Sequence, residues 1–274
     1  MDEEAVKRIT HDERAAATRM GVDEARFLVD TYYQMQDNRI RSDNQVRALA
    51  EAREPNLAVS WVSVQSRSME DSIKSALNKY AGSDPWGVWL MSQVGIGPVI
   101  AAGMMSRLAI ELPNKDTGAM EWLTTAGHWW SFCGLDPSKK WEKGTVRPWC
   151  APLKRLCWIM GESFIKQQNK DGAVYGKIFK ERKEQETADN EAGKFADQAK
   201  EALSRFKKKT KSREHYLQGK LPPAQINARA RRYAVKIFLS HAHTVKYRLT
   251  YKEEPPMPYA IAQLNHAHYI PVPD

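Results

Sequence analysis

Residues 22–54 read VDEARFLVDTYYQMQDNRIRSDNQVRALAEARE, and residues 57–82 read LAVSWVSVQSRSMEDSIKSALNKYAG. Neither stretch has an internal proline, and both are rich in residues that keep their side-chain freedom in a helix. Leu28, Tyr32, Met35, Val46 and Leu49 recur at three- to four-residue spacing around a polar stretch at Arg39 and Ser42. Leu57, Trp61, Val64, Ile73, Leu77 and Tyr80 form a second stripe, with Pro55 between the two. Two long helices joined by a short turn predict an antiparallel hairpin. An apolar seam of this length serves either a self-associating coiled coil or packing on the rest of the chain.

Outward from the hairpin the pattern stays helical. Asp84-Pro85 opens a third helix through Trp86, Trp89 and Leu90, which stops at Val94-Gly95-Ile96-Gly97-Pro98. A fourth runs from Val99 to Leu108. Residues 111–150, punctuated by Pro113, Gly118, Gly127, Gly134, Pro137, Gly144 and Pro148, are expected to be irregular. Stripes return at Leu153–Gln167 and Val174–Lys183. Glu184 to Leu203 reads as a solvated helix or linker, and Ala224 to about Tyr247 as a last helix. No strand alternation or internal repeat is visible. The expected fold is all-α: a hairpin or coiled coil over 1–82, a helix-hairpin-helix-containing domain over 83–250, and an extended Pro-rich tail over 251–274.

The 274 residues carry 42 Lys+Arg against 33 Asp+Glu, and the excess is clustered. Residues 139–183 hold 12 basic and 4 acidic groups, and residues 204–252 hold 14 and 1. Such blocks are the electrostatic footprint of a polyanion binder. No apolar run approaches the roughly 18 residues of a membrane span, so no membrane partner is expected. Met1-Asp2-Glu3-Glu4 shows no secretory signal, and Cys133, Cys150 and Cys157 are too few for a disulfide scaffold. A reducing cytoplasm fits these features.

Three features carry binding chemistry. The apolar-Gly-apolar-Gly turn at Gly95 and Gly97 between two short helices is the signature of a helix-hairpin-helix. There, backbone amides hold a phosphate, and a side chain would block it or demand positive φ. The alternative is a tight helix–helix corner. Arg229, Arg232 and Lys236 share one face of the last helix and can track phosphates, while Ile226, Ala230, Tyr233, Ala234 and Ile237 form its core side. In the loop Lys139-Lys140-Trp141-Glu142-Lys143-Gly144-Thr145-Val146-Arg147-Pro148-Trp149, cations alternate with aromatics that either stack on bases or anchor the loop. Lys154 and Arg155 follow it. His241 and His243 would point apart in a helix, and His266 with His268 lacks a third ligand at metal spacing, so no metal site is expected. A Gly-rich loop followed by Lys-Ser/Thr is absent, and no cofactor is expected.

Taken in order, Gly95-Ile96-Gly97-Pro98, Phe132-Cys133-Gly134-Leu135-Asp136-Pro137, Gly144-Thr145-Val146-Arg147, Leu153-Lys154-Arg155-Leu156, Tyr175-Gly176-Lys177-Ile178-Phe179 and Ala228-Arg229-Ala230-Arg231-Arg232-Tyr233-Ala234-Val235-Lys236 resemble one family. They are similar to the C-terminal domain of insertion-sequence family one-ten transposases, relatives of the Piv invertase, over about residues 86–248. The hairpin is similar to that family's coiled-coil connector. The resemblance implies a helical DNA-binding domain from a mobile element or phage. Family members are recombinases, some guided by a structured RNA, with acidic metal ligands in an N-terminal domain and a catalytic serine in the C-terminal one. This chain departs at both points. The hairpin starts near residue 22, and the Ser-Gly-x-Ser motif is matched only by Lys143-Gly144-Thr145-Val146-Arg147. Thr145 is a candidate nucleophile at the variable position; Ser131, Ser138 and Ser163 do not match. DNA binding therefore carries over and catalysis does not.

The expectation is a protein that grips the backbone of duplex DNA and self-associates through the hairpin. The alternatives are a recombinase using Mg2+, alone or with a separate nuclease-like subunit, and a module for structured RNA.

Overall fold

The computed structural model describes residues 8–113, 120–205, 210–256 and 270–273. Helix dominates, with eleven α-helices among the described residues. The chain divides into two compact units, Met1–Ser92 with Ile96–Ala109, and Gln93–Gly95 with Ile110–Asp274.

In the first unit, α1 (His11–Ala16) starts at a reciprocal cap between Thr10 and Glu13. After a 3-10 turn, Ala17–Arg19, come α2 (Val22–Glu51) and α3 (Leu57–Gly82), close to the expected bounds. They lie side by side in opposite directions. Ala25, Val29 and Tyr32 of α2 meet Ile73, Leu77 and Tyr80 of α3. Further along the same seam, Arg39 grips Glu70 at 2.5 Å and Ser63 donates to Asp43. The seam is thus apolar at one end and polar at the other.

That division corrects the expected stripe on α3. Val64 and Ile73 are nine residues apart, about half a turn out of phase at 100° per residue. Ile73, Leu77 and Tyr80 fill the seam, whereas Leu57 (83% exposed), Trp61 (59%) and Val64 (57%) face solvent. Ser63, Ser66 and Glu70 take the inward places.

The boundary expected at residue 82 moves as well. Helices α4 (Pro85–Ser92) and α5 (Pro98–Met105) belong with the hairpin, because Val99 and Ala102 complete the core of Ala25, Val29, Ile73, Leu77 and Tyr80. Gly87 allows the close approach: a Cβ there would lie 2.0 Å from the Ala81 carbonyl oxygen. Arg107, itself buried, ties α2 through Asp30 at 2.7 Å, and Arg26 donates to the Ser106 carbonyl.

The second unit opens with a small antiparallel ribbon that the sequence pattern did not announce, β1 (Glu111–Pro113) paired with β2 (Met120–Trp122). The helices α6 (Ala126–Phe132), α7 (Ala151–Gln167), α8 (Val174–Glu191), α9 (Ala196–Arg205), α10 (Lys211–Leu217) and α11 (Pro223–Tyr251) follow. The 29-residue α11 packs on α6, α7 and α8. Phe164, Tyr175 and Phe238 interlock at ring separations of 4.9–5.4 Å. Gly161 and Gly176 let the helices close, since a Cβ on either would fall 2.5 Å from Arg231 or Gln168.

The stretch from 184 is a packed element rather than a linker. Glu186 and Asn190 are buried, and Asn190 pairs in both directions with the Leu221 backbone. Phe195, Ala199, Tyr216, Leu221 and Ile226 form a second small core beneath α9 and α10. Cys133 and Cys157 are buried, and a hydrogen bond between them holds the Cys133 thiol well above the ordinary range. Among the described residues no helix is long and apolar enough to cross a membrane.

Candidate nucleic-acid interface

Four cations from three separate segments meet on the second unit. Arg147 comes from the loop before α7, Lys154 from the first turns of α7, and Arg232 and Lys236 from α11. Lys154 sits below the ordinary lysine range, first because of partial burial and then because Arg147 and Arg232 repel its charge. Burial lowers Lys236 in the same way, with Asp136 opposing and Arg232 adding to the effect. Arg232 is lowered by desolvation and by Arg229 and Arg231, with Glu186 opposing. Like charges held this close raise one another's energy, and a bound anion relieves that cost.

Aromatic rings lie against three of these cations. Lys154 Nζ stands 3.7 Å over the Trp149 ring, Arg147 Cζ 5.2 Å over Trp141, and Lys236 Nζ 5.1 Å over Trp130. Trp130 Nε1 also donates to the Lys236 carbonyl at 3.0 Å, fixing ring and helix together. Gly134, at φ +67°, makes room underneath, since a Cβ there would meet Lys154 and Trp149 at 2.8 Å. Trp149 therefore anchors the loop, whereas Trp141 stays 41% exposed. Lys139, Lys140, Lys143 and Arg155 are exposed nearby in sequence.

Arg229 does not join the set, although it shares the helical spacing. Its Nε donates to Glu186 at 2.5 Å, and Arg182 holds the other carboxylate oxygen at 2.6 Å. Its guanidinium also covers Phe195. The expected three-cation face is thus a two-cation face, because a buried carboxylate needs Arg229 as a partner. On the same helix Tyr233 and Ile237 are only half-buried, and Val235, Phe238 and Leu239 complete the core side.

The glycine turn divides. Gly95 has φ +103°, its carbonyl accepts from Ser163 Oγ at 2.6 Å, and a Cβ would strike the Phe164 ring. Its glycine character is explained by close packing on α7. Gly97 caps α5 at φ −92° with open space around it, so positive φ is not required there.

Thr145 donates to the Glu142 carbonyl at 2.8 Å, and its backbone oxygen accepts from Trp141 Nε1. Among the described residues its hydroxyl is engaged with backbone rather than with a side-chain base, so it closes a turn. His241 and His243 do point apart. His241 lies between the Tyr175 hydroxyl (3.0 Å) and the Ile270 carbonyl (2.8 Å), and His243 donates to the Leu123 carbonyl (3.0 Å). His266 and His268 lie outside the described residues, as do 206–209 of the second basic run and 257–269 of the tail.

Two further residues escaped the sequence reading. Trp158 is 54% exposed one turn beyond Lys154, with Arg231 Cζ 5.4 Å over its ring. The spacing Lys154–Trp158 on the outward side of α7 was the available signal.

No family model, curated protein or solved structure matches the chain. The transposase resemblance rests on the quoted motifs alone. Several of these, namely Gly134, Leu153, Tyr175, Gly176, Ala230 and Ala234, are packing positions of the second unit.

Proposed function

We propose that this chain is a nucleic-acid-binding protein whose second unit grips the phosphate backbone of DNA. The observation that carries this reading is the convergence of Arg147, Lys154, Arg232 and Lys236 on the second unit, three of them set against aromatic rings. Backbone contact releases counterions, so affinity should fall steeply with salt and vary little with sequence. Replacing all four by Ala should lower the slope of log K against log salt by about 3–4. An unchanged slope in a folded variant would refute the reading. The resemblance to a transposase C-terminal domain agrees with it.

The stripe Leu57, Trp61 and Val64 supports a second reading, self-association through the hairpin. Its occupant is a second copy running antiparallel about a two-fold axis near Trp61, which brings Glu54 of one copy toward Arg67 of the other. Light scattering should give a dimer that Trp61→Glu converts to a monomer. A monomeric unsubstituted protein at high concentration would refute it.

A further inference from the structure

We infer that the phosphate site takes an unpaired DNA strand in preference to a duplex, with Trp158 and Trp141 as the platforms on which its bases stack. The inference rests on the backbone-binding reading and extends it from phosphates to bases.

The outward side of α7 presents Lys154 and Trp158 about 6 Å apart along the helix axis, with Arg155 between them in sequence. Its opposite side, Leu153, Leu156, Cys157 and Met160, is buried. Trp158 is more than half exposed and is not held by burial. Arg231 fixes it instead: the guanidinium stacks over the ring and is itself anchored by Glu162. The arrangement repeats at Trp141, which Arg147 overlies and whose Nε1 is tied to the Thr145 carbonyl at 2.8 Å. Each indole is therefore oriented beforehand while much of its surface stays open.

These two platforms flank the cation cluster. Arg147 overlies Trp141 and is one of the charges that depress Lys154, and Lys154 is one turn from Trp158. In the order Trp141, Arg147, Lys154, Trp158 two rings bracket two cations. Rings beside a cationic track are what a single strand requires, because its bases expose their faces and its phosphates run alongside. In a duplex those faces are covered by neighbouring base pairs, so the platforms would contribute nothing. Stacking also tolerates any base, in agreement with a site that offers cations and rings rather than a pattern of base-reading groups.

The test uses the full chain and fluorescence anisotropy at one salt concentration. The probes are an oligothymidylate of about twenty nucleotides, the matching oligouridylate and a duplex of equal length. Oligothymidylate should bind at least about tenfold more tightly than the duplex. Trp158→Ala should weaken oligothymidylate by roughly 5- to 100-fold and leave the duplex unchanged, with Trp158→Phe recovering part of the loss. Circular dichroism checks that each variant is folded. Lys154→Ala with Arg232→Ala should weaken both DNA probes. Equal affinity for strand and duplex, or a folded Trp158→Ala that binds oligothymidylate normally, would overturn the stacking inference and leave backbone binding standing. Oligouridylate bound more tightly than oligothymidylate would overturn the assignment to DNA. Binding to none of the three would overturn the backbone reading itself.

Discussion

Arg229 and Glu186 form an ion pair across α11 and α8 in which the carboxylate is almost fully enclosed, its side chain 3% exposed. Arg182 binds the same carboxylate from its own helix. Breaking a buried pair costs about 3–5 kcal/mol where the remaining charge is left unanswered, and Arg182 keeps the cost here at the low end. Arg229→Met should therefore lower the unfolding free energy by about 3 kcal/mol, read from urea titration. In the folded fraction the salt slope of DNA binding should stay as it was. Arg232→Ala should do the opposite, lowering the slope by about 1 without moving the unfolding midpoint.

The two turn glycines should respond differently. Gly95→Ala meets both a backbone at φ +103° and the Phe164 ring 2.9 Å away. It should cost roughly 1–3 kcal/mol. Gly97→Ala should leave stability unchanged within about 0.5 kcal/mol. If the folded Gly97→Ala protein loses DNA affinity, the turn contacts phosphate as a helix-hairpin-helix does.

The polar half of the α2–α3 seam centres on the Arg39–Glu70 pair. Glu70→Leu alone strands Arg39 and should destabilise by about 3 kcal/mol. Adding Arg39→Leu should recover that loss and match or exceed the original stability. A double variant no better than the single one would mean that Arg39 is satisfied by Asp43 alone, 3.4 Å away.

Acid should weaken the second unit through His243. Burial drives its pKa down to about 4, against about 6.5 for an exposed imidazole, so between these values the unfolded chain binds the extra proton. Stability is complete above about pH 6.5 and declines as pH falls toward 4, by on the order of 3 kcal/mol at most. Urea midpoints at neutral and mildly acidic pH should show the decline, and His243→Asn should flatten it. His241, also lowered by burial, contributes with the same sign.

The helices were legible because their residues speak locally. The bounds of α2, α3 and α7 follow from proline placement and three- to four-residue spacing. What escaped depends on partners distant in sequence. The nine-residue gap from Val64 to Ile73 conceals a half-turn of phase, and only the position of α2 shows which side is inward. Arg229 and Arg232 look alike in sequence, and they part only because Glu186, 43 residues earlier, lies under one of them. The ribbon at residues 111–122 rests on six residues, too few for alternation to register. Lys154 and Trp149 were both visible, but not that Gly134 lets one settle on the other.

The division of the chain into non-contiguous units has a consequence for its birth on the ribosome. Ile73, Leu77 and Tyr80 are synthesised about twenty residues ahead of Val99 and Ala102, which cover them. At cellular elongation rates that interval is about 1–4 s. For that time the nascent hairpin lacks the part of its apolar core that Val99 and Ala102 supply, and a pause in translation near residue 95 would prolong it.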